Sequence, residues 1–304
     1  MAKARFVLVD VFADRPLAGN PLAVFPEAGA LPEDALQAVA REMDHPATAF
    51  LFPSSLPGAA FRLRIFSRER EIPFAGHPAI GAHSVHADET RLPLQEPVTR
   101  VAHEGNEGLV QVEMQVERGE IKTLRLNQRL PEMGPRLSAE EVGRAARALG
   151  LEEEEVASTN QPVRVVSTGL PALMVPVATL DTLASARPRY GQLRELLEGR
   201  DATLVYAFTK ETRDARSAAH ARAFETVASS EIPGAGAAAG ALAAYLVSHA
   251  AVNVLPVTSL VIEQGHVLSR PSTLFAEVQV ADGKITRVMV GGRVLRVGEG
   301  TLDF

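Results

Sequence analysis

Two short stretches hold the residue types that chemistry would need. Gly76-His77-Pro78 sets an imidazole, able to give or take a proton near neutral pH, where a glycine turn runs into a helix expected from about Pro78. Free N–H groups and the dipole at such a helix start favour an anion, by about 0.3–1 kcal/mol at an exposed site. The second stretch, SSEIPGAGAAAGALAAYL from Ser229 to Leu246, is also a glycine turn feeding a helix. It has no ionisable or hydroxyl side chain between Ile232 and Tyr245. No lysine follows Gly236, so the phosphate-loop pattern is missing. Gly234, Gly236 and Gly240 fit two uses equally well, close helix packing and main-chain anion binding.

Other chemistries are narrowed by what the chain lacks. With no cysteine there are no disulfides, no thiolate metal sites and no thiol mechanism. His45, His83, His86 and His103 do not form a metal pattern: His83 and His86 stand three apart on one helix with Asp88 and Glu89 nearby, but a metal site would need more converging ligands, so no metal is expected. No Gly-x-Ser-x-Gly elbow is present. A net charge of −6 without a clustered basic face argues against nucleic acid as a partner. The acidic run Glu152 to Glu155 reads as solvated surface.

These turns need elements to aim them. RFVLVDVFADRPLAGNPLAVFP (5–26) reads as strand, turn, strand. In LPEDALQAVAREMD (31–44), acidic residues are expected to fill the first turn of a helix whose Leu36, Val39, Ala40 and Met43 share a face. ATAFLFP and AFRLRIFS are strands, and Leu109–Val116 is expected to pair with Ile121–Leu126. Further on, Ser138 and Glu141 have capping-box spacing for a helix that closes at Gly150. Strands follow at VRVVST and ALMVPVA, a helix at Tyr190 to Leu197, and a strand at TLVYAFT. After the second glycine turn and its helix come three more strand segments, with a hairpin at Asp282-Gly283. Each half thus places a glycine turn and an apolar helix after several strands. That faint internal echo predicts two similar α+β lobes, each aiming a helix start at a shared cleft. With 46% apolar and 22% charged residues over 304 positions, the chain is expected to fold as a globular protein. Its first residues read as a strand rather than a signal peptide and no apolar run is long enough to span a membrane, so a cytoplasmic location is expected.

The segments VDVFADRPLAGNPLAVF, RIFSREREIPFAGHPAIGA, VVSTGLPALMVPV, EIPGAGAAAGALAAYL and VIEQGHVLSRPS, in this order, resemble the PhzF-like phenazine-biosynthesis isomerases over nearly the whole chain. The resemblance implies the diaminopimelate-epimerase-like fold: α+β, two pseudo-symmetric lobes, each a curved mixed sheet around a central helix. The lobes would be residues 1–118 plus about 288–304, and about 119–287. It also implies a homodimer, no cofactor, and a proton shift on a small carboxylate-bearing, amino-acid-like molecule. Matched residue by residue, Asn20, Gly76, His77, Gly236 and Ala237 fall on substrate-binding positions, with His77 also a candidate for proton transfer. The family's proton-moving glutamate falls on Ala47. Its second turn, Asp-Pro-Ala-Thr-Gly-Ser, becomes Ile232-Pro233-Gly234-Ala235-Gly236-Ala237. Methyl and sec-butyl groups cannot exchange protons. Asp44, His45 and Glu231, close by in sequence, are the candidate substitutes. Two functions stay open: an isomerase with displaced acid–base groups, and a protein that binds a small carboxylate without turning it over.

Overall fold

A computed structural model describes residues 3–72, 76–106 and 108–303 of the chain. Contacts divide it into two compact units, residues 1–127 with 291–304, and residues 128–290.

In chain order the first elements are β1 (Lys3–Val11), β2 (Asn20–Phe25), α1 (Ala35–Met43), β3 (Thr48–Phe52), β4 (Arg62–Phe66), β5 (Glu71–Ile72), α2 (Gly76–Thr90), β6 (Val98–Gly105), β7 (Gly108–Glu117) and β8 (Glu120–Asn127). The middle of the chain forms β9 (Glu132–Arg136), α3 (Ala139–Ala148), α4 (Glu154–Ala157), β10 (Arg164–Ser167), β11 (Ala172–Pro176), α5 (Leu180–Ser185), α6 (Tyr190–Leu197) and β12 (Leu204–Thr209). Then come β13 (Ala219–Glu225), β14 (Ser230–Ile232), α7 (Gly236–Ser248), β15 (Val257–Gln264), β16 (Ser272–Ala281), β17 (Lys284–Gly292) and β18 (Val294–Asp303).

The two units repeat one strand plan. In the first, β1–β2 is antiparallel, β2–β3 parallel, β3–β4 antiparallel, β4–β6 parallel and β6–β7 antiparallel. In the second, β10–β11, β11–β12, β12–β13, β13–β15 and β15–β16 follow the same alternation. Each plan also has a short extra strand, β5 on β4 or β14 on β13, just before its long helix. The echo heard in the sequence is therefore a repeat of topology.

Each unit is built around one helix that is buried on nearly every side. Ala79, Ile80, Ala82, His83 and Val85 of α2 are all enclosed, as are Ala238 to Val247 of α7. A helix apolar all round belongs in a core, and small residues let strands approach it. A Cβ at Gly81 would lie 2.4 Å from Leu22 Cδ2. One at Gly240 would lie 1.9 Å from Gln128 Oε1 and 2.9 Å from Val290 Cγ2. Gly240 thus serves packing. The capping box at Ser138 and Glu141 is formed, and Gly150 takes a left-handed φ of +71° after α3.

Two local expectations are corrected. The first long helix starts at Gly76 rather than at about Pro78, since a proline in the first turn costs no intrahelical hydrogen bond. Glu33 and Asp34 precede α1 instead of filling its first turn, and Glu33 pairs with Arg64 at 2.6 Å. Strand β13, AHARAFE, carries no strand signature in its sequence, because alanine alternates with histidine and arginine along it. It is nonetheless buried, since His220 meets Glu263 at 2.8 Å and Arg222 meets Glu231 at 2.7 Å.

Candidate active site

In the first unit the helix start of α2 supplies His77. Its Nε2 is enclosed and has no hydrogen-bond partner among the described residues. Burial pushes the imidazole down to about 3, so it is neutral at physiological pH and can both donate and accept a hydrogen bond. A Cβ on Gly76 would meet only Leu126 Cδ2, at 3.9 Å, an ordinary contact. Nothing described in the first unit packs closely enough to require a glycine there. A glycine at a helix start that packing does not require leaves its backbone open to close approach.

Asn20 is wholly buried at the head of β2, opposite Val11 in the β1–β2 ladder. It follows Gly19, whose φ of +68° and close approach to Val11 O, 2.4 Å for a Cβ, demand glycine. The turn is held further by Asp10, which accepts a hydrogen bond from Leu17 N at 2.7 Å. Ala47, at the position matching the family's glutamate, is fully buried before β3. Asp44 ends α1 in a left-handed conformation, exposed, with its carboxylate 2.6 Å from Arg68. His45 beside it is half-buried.

In the second unit, β14 leads through Pro233-Gly234-Ala235 into α7. Glu231 makes a fork-to-fork pair with Arg222, at 2.9 Å and 2.7 Å, with both side chains nearly buried. The remaining Arg222 nitrogen donates to the carbonyls of Leu183 and Ala186 at the end of α5. To carry protons, Glu231 would have to leave a buried charge unpaired. Gln264, fully buried at the end of β15, reaches the turn itself. Its Nε2 donates to Ile232 O at 2.6 Å, and its Oε1 accepts from Ala235 N at 3.1 Å and from the Tyr206 hydroxyl at 2.9 Å. Burial pushes the Tyr206 phenol up, so it stays a donor. Gly265 has a φ of +77°, and a Cβ there would stand 2.6 Å from Pro233 O, so the chain after β15 presses directly on the turn. On the helix side, Gln128 Nε2 donates to Gly236 O at 3.1 Å, and Thr168 donates to Gln128 Oε1 at 2.6 Å.

Helix geometry leaves the first N–H groups of α7, those of Gly236, Ala237 and Ala238, without intrahelical acceptors. Ala235, at the N-cap, offers no side-chain cap. Around these donors stand Ile232 and Ala237, both half-buried and apolar. The turn is rigid, presents main-chain donors, and carries no group of its own that moves a proton. Gln264, Tyr206, Gln128 and Arg222 were not singled out in the sequence; their spacing to the turn is long and nothing local marks them.

A second cluster in the first unit bears on pH. His83 Nε2 and His103 Nδ1 lie 2.9 Å apart, both buried, with Phe61 stacked 5.8 Å from His103. Among the described residues no three His, Cys, Asp or Glu side chains gather as a metal-binding group. Burial lowers the His103 imidazole from 6.5 to about 4, and burial followed by the neighbouring His103 and His86 lowers His83 as well. Both are therefore neutral in the folded protein at a pH where the unfolded chain would protonate them. The stabilising contribution of a neutral His103 is complete above about pH 6.5 and is lost as pH falls towards its folded value near 4. Urea unfolding at pH 7.5 and pH 4.5 is expected to show a loss about 2–3 kcal/mol larger for the wild type than for a His103→Leu variant. Equal losses would contradict a neutral, buried His103.

A family model for phenazine biosynthesis-like proteins, PhzC-PhzF, matches residues 9–300. The chain is 31% identical to the trans-2,3-dihydro-3-hydroxyanthranilate isomerase of Pseudomonas fluorescens, over 98% of each chain. It is 35% identical to a predicted epimerase of Pseudomonas aeruginosa of known structure, with a TM-score of 0.81 over 98% of this chain and 99% of that one. A PhzF-family protein of Bacillus anthracis shares the fold over the whole of both chains, with a TM-score of 0.89 at 23% identity. No helix among the described residues is long and apolar enough to cross a membrane.

Proposed function

Because the chain belongs to the phenazine biosynthesis-like family, in which isomerases are its relatives, we propose that it is an isomerase-type protein that shifts a proton on a small carboxylate-bearing molecule without a cofactor. The observation that carries this reading is the rigid turn before α7, which offers main-chain N–H groups while its side chains are apolar. Such donors grip a carboxylate without any ionisable partner and favour negative charge that develops during reaction. Among the described residues at the two helix starts, His77 is the one side chain that can exchange a proton. Its imidazole is neutral and its Nε2 has no hydrogen-bond partner among the described residues, which leaves that nitrogen free to accept a proton. The protein is taken as a homodimer, as the family resemblance implies.

One observation favours a second reading, carboxylate binding without turnover: Ala47, Ile232 and Ala237 stand where relatives of this type would carry acid, base and hydroxyl groups. Incubation in D₂O with a panel of small carboxylates, including trans-2,3-dihydro-3-hydroxyanthranilate, separates the two. Deuterium incorporation at carbon, catalysed by the protein, is expected. Binding of panel members with no incorporation into any of them would replace the isomerase by the binding protein.

A further inference from the structure

We propose that Arg64 with Glu71 in the first unit, and Arg222 with Glu231 in the second, are two copies of one positioning device. Each ion-paired fork fixes the short strand that delivers the chain to the glycine opening its unit's central helix. In the first unit the fork thereby holds His77 in its enclosed place. This rests on the proton-transfer reading given above only where it gives His77 a proton to move.

The two copies share sequence, register and contacts. Arg64-Ile65-Phe66 precedes Glu71-Ile72-Pro73-Phe74-Ala75-Gly76, and Arg222-Ala223-Phe224 precedes Glu231-Ile232-Pro233-Gly234-Ala235-Gly236. In the ladders Glu71 lies opposite Phe66 and Ile72 opposite Ile65, just as Glu231 lies opposite Phe224 and Ile232 opposite Ala223. Each arginine is thus diagonal to its glutamate on one face of the strand pair. Arg64 Nε and Nη2 donate to the two Glu71 oxygens at 2.8 Å each, and the guanidinium lies 5.2 Å from the Phe66 ring. Arg222 makes the same fork to Glu231 and lies 4.9 Å from the Phe224 ring. The spare Nη1 ties in a helix each time: it donates to Glu33, just before α1, at 2.6 Å, and to Leu183 O and Ala186 O at the end of α5. Strands of two and three residues have few ladder bonds of their own, so the bidentate pair sets their place. Three residues, the first a proline of fixed φ, then separate each isoleucine from the helix glycine, and a shift of the strand passes to the helix start. The forks differ in depth. Arg222 and Glu231 are almost inaccessible, whereas Glu71 is 35% exposed, so losing the first fork should displace the start of α2 without unfolding its unit.

Histidine-ring NMR and amide hydrogen exchange test this on the full chain. Burial holds the wild-type His77 imidazole down to about 3. In Arg64→Met its titration should rise by about one pH unit or more as water reaches a displaced ring, while the amides of Ala82 to Ala87 stay protected and show that α2 is intact. Glu71→Gln, which keeps the side chain's shape and removes its charge, should shift the titration in the same direction. Arg64→Lys should behave like Arg64→Met, because an ammonium keeps the charge and loses the fork. In the second unit, Glu231→Gln should displace the ¹H–¹⁵N signals of Gly234 to Ala237 and leave those of Ala241 to Leu246 in place. Catalysed deuterium exchange in Arg64→Met should slow about tenfold or more with KM nearly unchanged, a split that a purely structural pair would not give. An unmoved His77 titration in Arg64→Met and Glu71→Gln, or loss of α2 protection in both, would overturn the device. Wild-type behaviour of Arg64→Lys would overturn the fork as its means, and unmoved signals in Glu231→Gln would overturn the second copy. A raised His77 titration with an unchanged rate would uphold the positioning role and remove His77 from proton transfer, so the two readings fail separately.

Discussion

Replacing Glu231 by alanine is expected to lower the free energy of unfolding by about 3–5 kcal/mol, because it leaves the Arg222 guanidinium buried without its counter-charge. Both side chains of the pair are almost inaccessible, at 5% and 9% exposure, so solvent cannot take over the lost partner. The remaining Arg222 bonds to Leu183 O and Ala186 O would persist, which holds the charge inside rather than letting it escape. Removing both charges in Arg222→Met/Glu231→Leu should recover most of the loss, since apolar replacements of a buried pair are often neutral. Denaturant midpoints of the single and double variants give the coupling directly. A single variant that loses less than about 1 kcal/mol would mean that the pair is open to water, and Glu231 would again be available for proton transfer.

The second large effect concerns rate. If His77 carries the proton, His77→Ala should slow the catalysed deuterium exchange by about 10²–10⁴-fold, the range for loss of a positioned acid or base. Affinity for the carboxylate should change far less, because main-chain donors survive the substitution. That split between rate and binding separates a proton carrier from a residue that only packs. Unchanged exchange in His77→Ala would remove His77 from the mechanism.

Much of this molecule is legible in its residues, for identifiable reasons. Period-two alternation in Arg62–Phe66 and Leu109–Val116 gave strands because one face of each is wet. The two long helices were marked by glycine before an apolar run, and the repeated strand plan explains why that mark appears twice. What stayed hidden depends on partners far away in sequence. Strand β13 is buried with Glu263 bonded to its His220 and Glu231 paired with its Arg222, and no local pattern announces that. Glu263 itself, despite a burial that pushes it up, is held down to about 2 by His220 and the N–H groups of Arg213 and Asp214. Gln264 reads as an ordinary strand residue, although it reaches Tyr206, 58 residues away, and Ala235, 29 residues away. Nearness along the chain also misleads: Asp44 and Glu231 sit beside the positions of interest, but each side chain points to an arginine, Arg68 or Arg222.

The central claim is that backbone donors, not charged side chains, hold the ligand. A crystal structure with bound anthranilate tests it most directly. The account predicts carboxylate oxygens within ordinary hydrogen-bond distance, about 2.7–3.1 Å, of the Gly236 and Ala237 nitrogens, with Gln264 still on Ala235. A carboxylate held instead by lysine or arginine side chains, with the opening of α7 untouched, would contradict it.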